Sequence, residues 1–306
     1  MNILIAGGTG FVGQALTAYF AQKGYHMYIL TRNAQKQEHH RYIHYVQWLT
    51  NEANPLEQLP SIDVVINLAG ESINSGRWND ARKRTIVESR LQATEAIYEL
   101  IAQMPNKPSV VIQASAIGIY GTSLHETFTE RHNKVGTDFL AETVKKWEEA
   151  GQRIESLGVR TVFMRFGIIL GKHGGALPRI VLPYKWLIGG TIGSGQQWMS
   201  WVHIDDVVGV VDFAIRNGNI SGPVNVTAPH PVTMEQFGKT IAKVLHRPHW
   251  LPVPSFVLKI LLGEMSMLVL EGQRVIPEKL LQAGYHFSFP TIDRALANIL
   301  QSSTTQ

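Results

Sequence analysis

The chain has 306 residues, 44% of them apolar and 17% charged, which excludes a disordered or collagen-like polymer and suffices for one large domain or two smaller ones. Its 28 basic and 24 acidic side chains leave a net charge of +4, and with no basic block this small excess does not point to a nucleic-acid partner. There is no cysteine, which excludes disulfides, Cys-ligated zinc, iron–sulfur clusters and a cysteine nucleophile, and which is compatible with the expected cytoplasmic location.

Residues 3–6 form a short buried run that passes directly into Gly7-Gly8; with no basic region before it, no signal peptide is expected. Residues 11–23 carry Phe11, Ala15, Leu16, Tyr19 and Phe20 at helical spacing, and Gly24 ends that helix. Strands are predicted at 25–30, 42–47 and 63–68, the last a continuous apolar run suited to burial on both faces. A long helix over 79–102, a strand from 110, a helix over 138–156 and a strand over 159–164 follow. This alternation predicts right-handed βαβ crossovers: an α/β, doubly wound Rossmann sheet, parallel and covered by helices. After about residue 166 the rhythm breaks, and residues 171–197 read as a loop-heavy insertion rich in glycine and aromatics. A helix over 207–215 and a last strand over 223–226 lead to a mainly helical remainder. There Thr233 and Gln236 form a capping-box pattern, Ser255 is a candidate cap, Pro277 suits a first helical turn closed by Gly284, and Thr291 opens a final helix. The expected division is a dinucleotide-binding domain over 1–228, with the insertion at about 171–200 facing the pocket, and a C-terminal substrate-side domain over 229–306. The most apolar stretch, 256–270, is interrupted by Lys259 and Glu264, so no membrane span is expected.

Gly7-Gly8-Thr9-Gly10-Phe11-Val12-Gly13 lies between the first strand and the first helix. A dinucleotide pyrophosphate needs a turn free of side chains and N–H groups at a helix N-terminus, and this position supplies both. Gly7 and Gly10 permit the turn and the close approach; Gly13 permits tight helix–strand packing. With Phe11 and Val12 they make the expected phosphate cradle. The second strand ends Leu30-Thr31-Arg32-Asn33, without the acid that usually holds an NAD ribose, and Arg32 can pair with a 2′-phosphate. NADP is therefore the expected cofactor.

Together with Asn67-Leu68-Ala69-Gly70-Glu71, Ser115-Ala116-Ile117-Gly118-Ile119-Tyr120-Gly121, Asp138-Phe139-Leu140-Ala141-Glu142 and Trp201-Val202-His203-Ile204-Asp205-Asp206, this loop makes the sequence resemble the extended short-chain dehydrogenase/reductase superfamily. Within it the chain resembles the atypical "epimerase family" branch, NAD-dependent epimerase/dehydratase-like, with a C-terminal domain of its own. The resemblance implies that Asn67, Leu68, Ala69 and Gly70 contact the cofactor, that Ser115 bonds the reacting oxygen, and that Tyr120 follows it at the crevice. The superfamily's usual Tyr-x-x-x-Lys is missing. On the helix after Asp138, Phe139 pairs with Thr143 or Leu140 with Val144, and neither pair transfers a proton. Ser115 and Tyr120 are left as the catalytic candidates. An aspartate, 205 or 206, is expected to cap the following helix rather than act chemically. Arg82, Lys83, Arg84 and Arg90 read as a solvated helix face, although Arg77-Trp78 could border a pocket. Histidines 39, 40 and 44 lack matching carboxylates, so no metal site is expected. The functional expectation is an NADP-dependent oxidoreductase or nucleotide-sugar-epimerase-like enzyme on a small polar substrate, with no nucleic-acid or membrane partner and a homodimer left open. The alternative is an NADP(H)-binding sensor without turnover, which the missing pair favours.

Overall fold

The computed structural model describes residues 1–34, 40–50 and 53–301. In chain order, the first half folds as β1 (Asn2–Ala6), α1 (Phe11–Gln22), β2 (His26–Thr31), β3 (Ile43–Gln47), α2 (Pro55–Gln58), β4 (Val64–Asn67), α3 (Asp80–Gln103), β5 (Val110–Ala116), β6 (Thr127–Phe128) and α4 (Phe139–Gln152). The second half adds β7 (Arg160–Phe166), β8 (Ile168–Leu170), α5 (Leu177–Lys185), β9 (Trp198–Met199), β10 (Trp201–His203), α6 (Ile204–Arg216) and β11 (Gly222–Val226). The chain ends with β12 (Val232–Thr233), α7 (Met234–Leu245), α8 (Ser255–Leu262), α9 (Met267–Leu270), β13 (Arg274–Val275), α10 (Glu278–Gln282) and α11 (Ile292–Gln301).

Seven strands form one sheet in the order β11-β7-β5-β4-β1-β2-β3, every neighbouring pair parallel. The doubly wound Rossmann sheet expected from the alternation is present, and the strand order reverses between β1 and β4. Alternate residues of β1 serve opposite faces, as the two-residue period of a strand requires. Ile3 and Ile5 join Leu16, Phe20, Val207 and Val211 of α1 and α6; Leu4 and Ala6 join Ala93, Ile97 and Ile101 of α3. Burial on both faces explains why the strands read as continuous apolar runs. A further apolar cluster, around Trp201, Phe237, Ile241 and Leu296, joins α5, α7 and α11. The C-terminal region is mainly helical, yet it also returns a strand to the first half: β13 pairs in parallel with β6.

Local chemistry shifted several expected boundaries. The expected loop-heavy insertion contains α5. Helix α4 stops at Gln152 and gives way to a 3-10 turn, Arg153–Leu157. Helix α6 begins at Ile204 rather than 207, because His203, not an aspartate, caps it: its Nδ1 accepts the Asp205 N–H at 3.1 Å. Asp206 instead accepts the N–H groups of Ser288 and Phe289 at 2.7 and 2.9 Å, tying α6 to the chain ahead of α11. Pro254, not Ser255, holds the cap position of α8, and Pro277 precedes α10 as its cap rather than entering its first turn. The capping box is present: Thr233 Oγ1 accepts the Gln236 N–H at 3.2 Å, and Gln236 Oε1 accepts the Thr233 N–H at 2.9 Å. Thr233→Ala is expected to cost about 1 kcal/mol in chemical denaturation; an unchanged midpoint would show that α7 stands without its cap.

Candidate functional site

The reversal of strand order opens a cleft at the C-terminal ends of β1, β2 and β4. It has a volume of about 550 Å3 and is lined by Gly7, Thr9 and Gly10, by residues 30–33, by Trp48 and Leu49, by residues 68–71, and by Ser89, Gln92 and Ala93 of α3. Gly7, Gly10 and Gly13 of the loop each meet a different demand. Gly7 has φ +78°, and a Cβ there would lie 2.8 Å from the main chain of Leu68. At Gly13 a Cβ would lie 2.3 Å from Gly7 O, so α1 can approach the loop only without one. Gly10 is different. Its backbone is extended (φ −79°, ψ 173°), and a Cβ would meet only Gly7 O, at 3.3 Å. Its need is for open space above the helix N-terminus rather than for unusual dihedrals. That opening, with the unpaired first-turn N–H groups of α1, fits a dinucleotide pyrophosphate.

Arg32 is exposed on the rim of this cleft, between Thr31 and Asn33. Leu68, Ala69 and Gly70 line it, whereas Asn67 does not. The Asn67 side chain is fully buried: it donates to Gln113 Oε1 at 3.0 Å and accepts the Ala69 N–H at 3.2 Å. It shapes the turn that carries Ala69. Phe11 and Val12 also point away from the cleft. Phe11 packs on Gly171 and Gly174, where a Cβ would lie 2.5 and 2.4 Å from its ring, and Val12 packs into the core. Only the backbone of these two residues is available to a ligand in the cleft.

One turn along α3, Ile86 and Arg90 face a second cavity of about 280 Å3, so Ser89 on the cleft and Arg90 on the cavity are sequence neighbours. Ala116, Ile117, Leu140, Val144, Trp147, Phe166, Ile168 and Trp198 supply much of its wall, and residues 267–268 and 271–273 close it from the C-terminal region. Of the insertion expected at about 171–200 to face the pocket, Trp198 and Ser200 reach this cavity, beside Gly167 and Ile168 just ahead of it. Leu140, Thr143 and Val144 of the two candidate pairs line the cavity, while Phe139 turns away to stack edge-on against Trp78 at 5.2 Å. Trp78 itself donates its Nε1 to Ile73 O at 2.9 Å, and Arg77 donates to Leu261 O at 2.8 Å, fastening the end of α8.

Arg90 is not on a solvated helix face. Its Nη1 donates to the main-chain oxygens of Glu71 and Ile86 at 3.0 and 2.8 Å, and its guanidinium lies 5.1 Å from the Trp147 ring. Burial pulls its pKa down to about 10. Two carboxylates line the cavity. Asp138 caps α4 by accepting the N–H groups of Leu140 and Ala141, and Glu271 accepts the Thr122 hydroxyl at 3.0 Å.

Ser115 and Tyr120 are not among the residues lining this cavity. Strand alternation turns Ala116 into it and Ser115 the other way. The Ser115 hydroxyl donates to Glu148 Oε1 at 2.5 Å. Arg165 grips the same carboxylate twice, through Nε at 2.8 Å and Nη2 at 2.7 Å, and donates from Nη1 to the Tyr120 hydroxyl at 2.9 Å. Tyr120 in turn donates to Asn225 Oδ1 at 2.8 Å. Asn225 gives its backbone N–H to Glu130 at 2.9 Å, and Glu130 also accepts the Lys279 N–H at 3.3 Å. Burial opposes the charge of Arg165, but the bonds to Glu148 outweigh it and raise its pKa above the ordinary value. Burial pushes the Tyr120 pKa up despite the neighbouring Arg165 cation, which leaves the phenol protonated as a donor to Asn225.

His39 lies outside the described residues. His44 stands against His26, Nε2 to Nδ1 3.2 Å, and burial lowers its pKa. Among the described residues no group of three His, Asp or Glu side chains is placed to hold a metal ion, and no helix is long and apolar enough to cross a membrane.

Residues 3–227 match the model of the NAD dependent epimerase/dehydratase family, and residues 253–299 match a domain of unknown function, DUF1731. The epimerase family protein YfhF of Bacillus subtilis is 52% identical over 305 residues, covering 100% of both chains. Among solved structures, the human epimerase family protein SDR39U1, crystallised with NADPH, superposes with a TM-score of 0.88 at 32% identity, over 99% of this chain and 100% of that one. A nucleoside-diphosphate sugar epimerase from Corynebacterium glutamicum superposes with a TM-score of 0.78 at 31% identity, over 98% of this chain and 58% of that one. The glycine cradle, the reversal of strand order and these matches agree: the chain belongs to the NAD-dependent epimerase/dehydratase family, as an atypical extended short-chain dehydrogenase/reductase with the DUF1731 region at its C-terminal end.

Proposed function

We propose that this protein is an NADP-dependent oxidoreductase or epimerase-like enzyme that binds its dinucleotide in the 550 Å3 cleft and its substrate in the adjoining cavity. Arg32 on the rim, with no acid at the end of β2, is the observation that carries the cofactor assignment. The NADPH in the human relative's crystal structure supports it. Gly7, Gly10 and Gly13 with the backbone of Phe11 and Val12 would hold the pyrophosphate, Leu68, Ala69 and Gly70 the adjoining ribose, and Arg32 the 2′-phosphate. When bound, the nicotinamide supplies hydride transfer. The chain's own part is to exclude water with Trp147, Phe166 and Trp198 and to present Arg90 and Glu271 to the substrate. Ser115 and Tyr120 serve as positioning residues: through Glu148 and Arg165 they hold β5 and β7 in register behind the cavity. Residues 229–306 act as the substrate-side unit.

Titration of NADPH and NADH against the wild type and Arg32→Ala tests the assignment. The wild type is expected to prefer NADPH by roughly 10- to 150-fold, the worth of one charge-assisted Arg–phosphate pair, and Arg32→Ala to lose that preference. Equal affinities in the wild type would overturn it. One observation favours the reading of an NADP(H) sensor without turnover: of the two registers open to the proton-transfer pair, the positions that face the cavity are Leu140, Thr143 and Val144, none of them a tyrosine or lysine. NADPH binding without NADPH oxidation across aldehyde, ketone and sugar-nucleotide substrates would decide for the sensor.

A further inference from the structure

The cavity beside Arg90 shares part of its C-terminal wall with a second one. Leu268 of α9 lines it on one side and, on the other, lines a separate cavity of about 290 Å3 between α5 and the α8–α9 segment. Ile73 of the first cavity and Asn74 of the second are likewise neighbours in sequence. One half-buried leucine thus divides two spaces of nearly equal size. Each alone is slightly smaller than the roughly 300–1,000 Å3 of a typical ligand site, and the two together fall within it.

Their linings have the same chemistry. Ile180, Pro183, Ile192, Val253, Met265 and Val269 dominate the second cavity as aliphatic and aromatic side chains dominate the first. A nucleoside diphosphate would need several donors for its phosphates. The cationic side chains lining the two cavities are Arg90 and Arg179, and Arg90 already donates to two main-chain oxygens. The outer end of the second cavity, at Ile188 and Leu262, is also apolar. It abuts α8, which has no buried residue although only Ser255 and Lys259 among its eight are polar. Phe256 and Ile260 of that helix are 63% and 69% exposed. A monomeric protein rarely leaves so continuous an apolar surface without a use for it.

We propose that the substrate is an amphiphile: its reacting polar end lies beside Arg90, and a long apolar chain passes Leu268 into the second cavity towards α8. This rests on the enzyme reading above and replaces the small polar substrate expected from the sequence with one whose tail supplies the binding. A polar end held by few donors and a tail held by area is the arrangement these walls can bind.

The test is binding of straight-chain primary alcohols from butanol to dodecanol, read by calorimetry and by Trp147 and Trp198 fluorescence, with and without NADPH. Each methylene is expected to tighten binding about fourfold, and the gain should continue past the length that fills the first cavity. In Leu268→Trp, which narrows the passage, the gain should stop earlier. Ile180→Trp, which fills only the second cavity, should give the same truncation and serves if Leu268→Trp does not fold. The same limiting length in the wild type and in these variants, or tighter binding of UDP-glucose than of any alcohol, would overturn the proposal. Failure of the enzyme reading is separate: it shows as absent NADPH binding or as equal NADPH and NADH affinities, while the chain-length series is measured on the protein without cofactor as well.

Discussion

Replacing Glu148 with alanine is expected to lower stability by about 3–5 kcal/mol, the range for breaking a buried ion pair by removing one partner. The Arg165 and Glu148 side chains are only 8% and 7% exposed, and Arg165 spends two of its donors on that carboxylate. In Glu148→Ala the guanidinium stays buried and charged, with Tyr120 as its remaining side-chain partner. The Ser115 hydroxyl loses its acceptor in the same change. The double variant Glu148→Ala/Arg165→Met is expected to recover most of the loss, because it leaves neither charge unpaired. Urea unfolding of the two variants beside the wild type measures this. A loss below about 1 kcal/mol for Glu148→Ala would mean that water reaches Arg165 and solvates it.

Gly10→Val is expected to weaken NADPH binding by about 100-fold or more with the fold intact. Losing two or more charge-assisted bonds from the loop to the pyrophosphate accounts for that size. The fold should survive because the Gly10 backbone lies in a region open to any residue and a Cβ there has one near neighbour, at 3.3 Å. The valine branches would fill the space above the N-terminus of α1 that the phosphates need. Gly13→Val serves as the contrast: a Cβ at 2.3 Å from Gly7 O displaces α1 itself and should unfold the loop. Calorimetry for affinity and circular dichroism for structure separate the two outcomes. Wild-type affinity in a folded Gly10→Val protein would place the pyrophosphate elsewhere.

The sheet was legible because continuous apolar runs and glycine-ended helices are local signals. β1 shows this most clearly: four apolar residues followed by Gly7 define both a strand buried on two faces and the turn at its end. The cleft was legible for the same reason, since the loop and Arg32 each sit at a strand end visible in the sequence. The cavity was not, because its wall joins residues far apart in the chain, Ile86 and Arg90 with Met267 and Gln273. Nothing adjacent to Arg90 marks it as buried, and charged residues on a long helix are usually solvated. Glu148 and Arg165 left a fainter trace. Arg165 interrupts the apolar run of β7, and a cation inside a buried strand calls for an anion somewhere opposite. At β5 the alternation of side chains separates Ser115, which bonds Glu148, from Ala116, which lines the cavity, by a shift of one residue.

The two compartments differ in when the growing chain can make them. Every residue lining the cleft lies between positions 7 and 93, so its components have all been synthesised when less than a third of the chain has emerged. The cavity must wait for α9 and for the return of β13 to β6, which joins Arg274 to Thr127 across about half the molecule. Contacts of such long sequence separation form slowly, since chain entropy is lost before they contribute. A nascent or partly unfolded chain therefore exposes the walls of this apolar cavity longest, with the uncovered face of α8 beside it. The stretch most prone to association with other chains during folding is the same one that completes the site.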